Sequence, residues 1–271
     1  MKVARSKHPI ALAAGLLSTS LLLPGIASAE TPSNEWQFRT SVYGFFPEVG
    51  GSVRFPSGSS EIDVNADDLI EKTDFAKMGS FEAQKGRWGV FADMVYMDLG
   101  DSVYGTRSLG AGRMPLPSGV TADASLDIEA LAFTVAANYR VRSSSTSVVD
   151  VFAGARLLDA KGELDWTFSA DPIGPIRKGT SEAQRDSWDG IVGVKGRSYF
   201  GERKQWFVPY YLDAGTGGAD FTWQAVAGLG YAAGWGDVFV TWRHLDYDFG
   251  PDRVIEDLQF DGPAIGVAFN W

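Results

Sequence analysis

The sequence predicts an all-β protein: a closed, antiparallel, transmembrane β-barrel of ten strands. Three observations carry this. The segment 258–271 puts Ile265, Val267, Phe269 and Trp271 on one face and Ala264, Gly266, Ala268 and Asn270 on the other. That alternation, apolar outward and small or polar inward, suits a strand with lipid on one side and a barrel interior on the other. Residues 30–271 hold no apolar run of helix length, as expected where strands rather than helices cross the bilayer. Candidate strands of about 10 residues, enough to cross a bilayer when tilted, are joined by turns and loops that alternate in length.

Taken in order, the first 29 residues stand apart. Lys2, Arg5 and Lys7 form a positive n-region, 10–23 is largely apolar, and Ala27-Ser28-Ala29 is an A-x-A site, so 1–29 reads as a secretion signal cleaved before Glu30. Ser18, Thr19, Ser20 and Pro24 interrupt the run, which falls short of the roughly 20 apolar residues of an anchor. The barrel is then expected over 30–271, with strands near 36–46, 75–85, 88–98, 127–140, 148–158, 188–199, 206–215, 221–232, 238–248 and 258–271. Short turns fall at 86–87, 143–147, 201–205 and 234–237. Longer loops fall at 47–74, 99–126, 159–187 and 249–257, with one short exception at 216–220. Such alternation places short turns and both termini on the periplasmic side and the longer loops outside. Eight strands are the alternative, if a pair near 206–232 or 36–85 is misread.

Aromatic residues test the threading independently. Trp36, Trp88, Tyr139, Trp206, Tyr231 and Trp271 fall at the short-turn ends of their strands, and Tyr96, Trp188, Trp223 and Trp242 toward the long-loop ends. Two girdles are what anchoring at two interfaces requires. A soluble β-sandwich also alternates, but it needs neither girdles nor a terminal aromatic. The stretch 65–72 reads as one or two helical turns with Asn65 or Asp67 as N-cap.

Charge narrows the partners. Losing the three basic residues of 1–29 takes the formal charge from −10 to −13, which argues against nucleic acid. Cysteine is absent, so thiol, zinc-thiolate and haem-thioether chemistry is excluded. The acidic stretch 63–74 echoes a calcium loop in spacing, but Asp68 stands where the required Gly belongs and Asp74 where Glu does. No metal or other cofactor is expected.

The chain resembles the small single-domain outer-membrane β-barrel proteins of Gram-negative bacteria, the opacity-like and outer-membrane-protein-W-like group. The residues carrying the resemblance are Ala27-Ser28-Ala29, the run 79–93, the run 242–249 and the chain end. Gly266, Phe269 and Trp271 resemble the Gly-x-x-aromatic-x-aromatic signal read by the barrel-assembly machinery, with a departure at Ala264, where a polar residue is usual. The resemblance implies that machinery, periplasmic chaperones, outer-membrane lipids and lipopolysaccharide as partners. It does not supply a task, because one fold hosts many.

Parity within each strand sorts the charged residues. If the terminal aromatics face lipid, the interior receives Arg39, Glu82, Asp93, Asp150, Arg156, Asp189, Lys195, Arg197, Asp213, Gln224 and Arg243. A mid-bilayer Arg or Lys on the lipid face would cost about 2–4 kcal/mol, so this sorting is energetically required. One reading is a plug, in which Glu82 and Asp93 pair with Arg156, Arg197 and Arg243 across a narrow lumen. The other is a polar path for small solutes. A barrel of about eight strands is barely wider than its own side chains, which favours the plug. After signal removal His244 is the one histidine, in Arg243-His244-Leu245-Asp246. A His with nearby carboxylates can serve as a general base, but its parity is that of Val240 and Trp242, on the lipid face. The expected function is therefore an integral outer-membrane barrel with a structural or surface-interaction role and a charge-plugged interior. A narrow channel for small polar or amphipathic solutes is the alternative, and an outer-leaflet lipid hydrolase a distant third.

Overall fold

The computed structural model describes residues 34–55, 58–64, 73–104, 120–170, 174–251, 253 and 255–271. The segment 1–29 and the stretch 65–72 lie outside them, and with them the expected signal and helical turn. All regular structure among the described residues is β.

Strand β1 (Trp36–Phe45) breaks at Phe46 and Pro47 and resumes as β2 (Glu48–Phe55). Both pair with the last strand, β12 (Ile255–Asn270): Arg39 faces Asn270 and Phe45 faces Ala264, while Glu48 faces Asp261 and Val53 faces Ile255. Strand β3 (Gly58–Val64) returns from β2 as a hairpin, and β4 (Thr73–Lys85) descends beside β1. The wall continues through β5 (Trp88–Tyr104), β6 (Val120–Ser143), β7 (Ser147–Ala170), β8 (Gly174–Phe200), β9 (Trp206–Gly217), β10 (Phe221–Ala233) and β11 (Gly236–Asp248), each antiparallel to its neighbours, to β12 and so back to β1. With β1–β2 and β3–β4 each counted as one stave, the barrel has ten. Eight is excluded.

Three expectations about loops are corrected. Most of 159–187 is strand, because β7 runs to Ala170 and β8 begins at Gly174, and much of 99–126 belongs to β5 and β6. The expected loop 47–74 carries the β2–β3 hairpin. The physical reason is that crossing a bilayer sets a minimum strand length, whereas nothing in the ladder stops it at the headgroups. Leu164, Trp166 and Phe168 alternate with Glu163, Asp165 and Thr167, so the strand pattern persists beyond the membrane. The portion 158–170 of β7 extends roughly 40 Å along the strand at about 3.3 Å per residue.

The belt between the girdles is apolar and turned outward. Val192 is 64% exposed, Ile265 53% and Val240 51%, fractions that a soluble sandwich would not leave to water. Trp36, Trp88, Trp206 and Trp271 ring the short-turn end, and Trp188 and Trp242 the other, all exposed. Trp88 meets Tyr139 and Trp206 meets Tyr231 edge-on, each at 5.0 Å. At the turn between β4 and β5, Gly86 has φ +61°, the left-handed first position that a tight hairpin favours. Inside, Gly230 makes room for a ring: a Cβ there would meet Phe207 at 2.2 Å.

Candidate functional site

Inward parity builds the lumen from the short-turn end upward. Lowest lie Arg39 from β1, Arg140 from β6, Asp150 from β7, Arg197 from β8 and Asp237 from β11. Arg39 pairs with Asp237 and donates to Asn270 Oδ1 at 2.9 Å, and Arg197 reaches the same Asp237 at 3.4 Å. Arg140 grips Asp150 with two bonds of 2.9 and 3.2 Å, the bidentate geometry that makes guanidinium–carboxylate pairs strong. One layer higher, Lys195 pairs with Glu82 at 2.6 Å and lies 4.4 Å over the ring of Phe91.

The mid-lumen layer holds the most buried ion pair among the described residues. Arg243 pairs with Asp93 and donates to Tyr43 Oη at 2.9 Å, while Tyr43 donates to Asp93 at 2.6 Å. Arg156 and Asp213 form an ion pair with both side chains fully buried. Arg156 also donates to Thr134 and Thr222, and Tyr211 donates to Asp213 at 2.5 Å. Removing two charges from water costs several kcal/mol per ion, so such pairs persist only where geometry and further hydrogen bonds compensate. Here two tyrosines and two threonines supply them.

Above this layer the interior turns apolar. Phe45, Met78, Val95, Met97, Leu158, Leu245, Tyr247, Phe249 and Phe260 form one buried cluster on the long-loop side. Below, a cavity of about 660 Å³ is lined by Gln37, Ser143, Trp235 and Asn270 at the short-turn end and by Tyr43, Asp93 and Arg243 at its top. The lumen is thus a polar cup under a dry, packed cap.

Arg39, Glu82, Asp93, Arg156, Lys195, Arg197, Asp213 and Arg243 all point inward and all sit in ion pairs, but the pairing differs from the expected one in three respects. Glu82 takes Lys195, Arg156 takes Asp213, and Arg197 takes Asp237. Asp189 also points inward but joins no ion pair among the described residues. It accepts the Ala219 N–H at 2.8 Å and the Ser187 hydroxyl at 2.9 Å, and so ties the β9–β10 turn to β8.

Sequence reasoning missed Asp237, Arg140, Tyr43 and Tyr211. Asp237 was assigned to a turn, yet it shares parity with Thr241 and Arg243 on β11, and extending the strand by one residue would have found it. The apolar cap was missed because inward positions were expected to be polar. Leu245 and Tyr247 continue the parity of Arg243, so the signal was present.

His244 faces outward. Its Nδ1 lies 2.8 Å from Asp261 Oδ1, Trp242 Nε1 donates to Asp261 Oδ2 at 3.0 Å, and the ring sits 4.5 Å from Trp223. At the chain end, Gly266 packs beneath Tyr43 and Phe239, Phe269 contacts Trp235 at 5.9 Å, and Trp271 stacks on Phe38 at 6.0 Å.

Closed wall, apolar belt and paired girdles define the class: an integral β-barrel of the outer-membrane type. No protein-family model and no curated protein sequence matches the chain. Among solved structures, the outer membrane protease OmpT of Escherichia coli is similar over 90% of this chain and 100% of its own, at 11% identity and a TM-score of 0.55. That likeness shows the fold alone. Ail, the attachment invasion locus protein of Yersinia pestis (8% identity, TM-score 0.32, 87% of this chain and 98% of its own), and Neisserial surface protein A (12%, 0.32, 86% and 96%) are more distant.

Proposed function

We propose that the protein is a non-conducting envelope barrel whose task lies on its outer surface, close to the opacity-like and outer-membrane-protein-W-like group. The observation that carries this reading is the double closure of the lumen, by the Arg156–Asp213 and Arg243–Asp93 pairs and by the apolar cluster above them. A surface role is supported by the sheet that β5 to β8 raise above the membrane. Beyond Asp189, which faces Gly217, β8 pairs only with β7 among the described residues. Strand edges of this kind are a common route to protein contacts. Lipopolysaccharide and outer-membrane lipids are the surroundings assigned to the girdles, the barrel-assembly machinery to Gly266, Phe269 and Trp271, and secretion to a signal over 1–29.

The cup supports a second reading, a narrow channel for small polar or amphipathic solutes, if the cap opens. Catalysis is not part of the proposal, since His244 lies on the lipid-facing wall, in an aromatic cluster. Single-channel recording of the protein in a planar bilayer tests the choice. A silent barrel, with folding verified in the same sample, is the expected result. Steady openings altered by Arg243→Ala or Asp93→Ala would replace the proposal with the channel.

A further inference from the structure

We infer that the periplasm-facing cup is a blind binding site for a small anion with an aromatic body, anchored by Arg197. The inference rests on the outward closure proposed above. The cavity, about 660 Å³, opens between Gln37, Trp235 and Asn270 at the short-turn end. Its top is closed, because Phe45, Leu245 and Phe260 pack above Arg243.

Among the described residues, side chains on its walls supply five cations and four carboxylates. Arg243 holds Asp93, Lys195 holds Glu82, Arg140 holds Asp150, and Arg39 holds Asp237. Arg197 has no carboxylate of its own and shares Asp237 with Arg39, at 3.4 Å. It is also the most exposed of the five, its side chain 25% accessible against 9–14% for the others. Trp271 lines the cup at its open rim, where its backbone carbonyl accepts the Phe38 N–H at 2.8 Å.

The remaining walls describe the ligand. The Arg197 guanidinium lies 5.7 Å from the centre of the Phe207 ring, and Phe91, Tyr199 and Tyr211 also line the space. A guanidinium that shares its carboxylate with a second arginine, set among aromatic faces, suits a carboxylate, sulfonate or phosphate carried on a planar apolar body, because the charge is met by an oriented donor and the body by rings.

Pyranine, an aromatic trisulfonate that stays in water, is a suitable probe. Its fluorescence polarisation is read against the full-length folded protein in a nonionic detergent. Saturable binding is expected, weakened about tenfold or more in Arg197→Gln by loss of one charge-assisted bond. It should be largely kept in Arg197→Lys and unchanged in Lys178→Gln, an exposed cation on the outer sheet. Heat-modifiable migration on gels confirms that each variant is folded. Absence of saturable binding, or equal weakening in Arg197→Gln and Lys178→Gln, overturns the site while leaving the sealed barrel standing. Release of pyranine trapped inside proteoliposomes overturns the blind cup and the sealed barrel together, whatever the binding result.

Discussion

The lower and upper halves of the lumen are built on the same ten staves and solve opposite problems. Below, nine charged side chains line a cup open at the short-turn end. Above, phenylalanine, leucine, methionine and tyrosine pack into one buried cluster. Charge can remain in the lower half because water reaches it and screening reduces the cost of each ion. Between the two, Arg156 and Asp213 sit where neither water nor an exit is available, fully buried. The contrast teaches that an inward-facing ion pair has no single energetic meaning. Its value depends on its height in the barrel.

That dependence can be broken where it is steepest. Arg156→Leu leaves Asp213 buried with only Tyr211 to meet it and should cost about 3–5 kcal/mol, as for other broken buried pairs. Reversible urea unfolding in lipid bilayers measures it. The double variant Arg156→Leu with Asp213→Leu should recover much of the loss, because a hydrophobic pair of similar volume carries no desolvation penalty. A double variant as unstable as the single would show that the two residues contribute through something other than their charges.

The cap gives the next effect. Leu158 is fully buried within the cluster, and Leu158→Ala should cost about 2–5 kcal/mol, set by how far Phe45, Met97 and Leu245 can collapse into the space. The same substitution sharpens the comparison between the halves. If the cap is the outer seal, thinning it further with Phe260→Ala should raise ion leakage through bilayers. Arg156→Leu, lower down, should leave leakage unchanged. Leakage from the Arg156 variant and not from the cap variants would place the seal in the ionic layer instead.

These layers were legible in the sequence to different degrees, for a physical reason. Within the membrane, lipid on one side fixes the sign of every alternating position, so parity alone separates Val192 and Val240 from Lys195 and Arg243, and ten staves can be counted. Above the membrane both faces of β6 and β7 are free of lipid, so the pattern over 159–170 carries no fixed sign and looks like a loop rich in charge. Strand ends suffer likewise: Asp237 lies one residue outside the expected strand at 238–248, and that single residue hides the partner of both Arg39 and Arg197. Which carboxylate meets which cation is set by register between strands that are neighbours, or opposite each other, in space. Glu82 on β4 finds Lys195 on β8 across the lumen, a contact that no spacing along the chain encodes.

The smallest expected effect belongs to that pair. Lys195 and Glu82 are separated by 2.6 Å, a closer approach than Arg197 and Asp237 make, yet their side chains remain 13% and 21% accessible in the cup. Water can take over from either partner, so Lys195→Gln should cost about 1 kcal/mol or less in the same urea experiment, and the cost should shrink further at high salt. Arg156→Leu, sealed from solvent, should show no such salt dependence. The slope against ionic strength separates the two halves more cleanly than the size of either loss. A Lys195 variant as costly and as salt-insensitive as the Arg156 variant would mean that the cup is dry, and the division of the lumen into a wet half and a dry half would fail at its lower boundary.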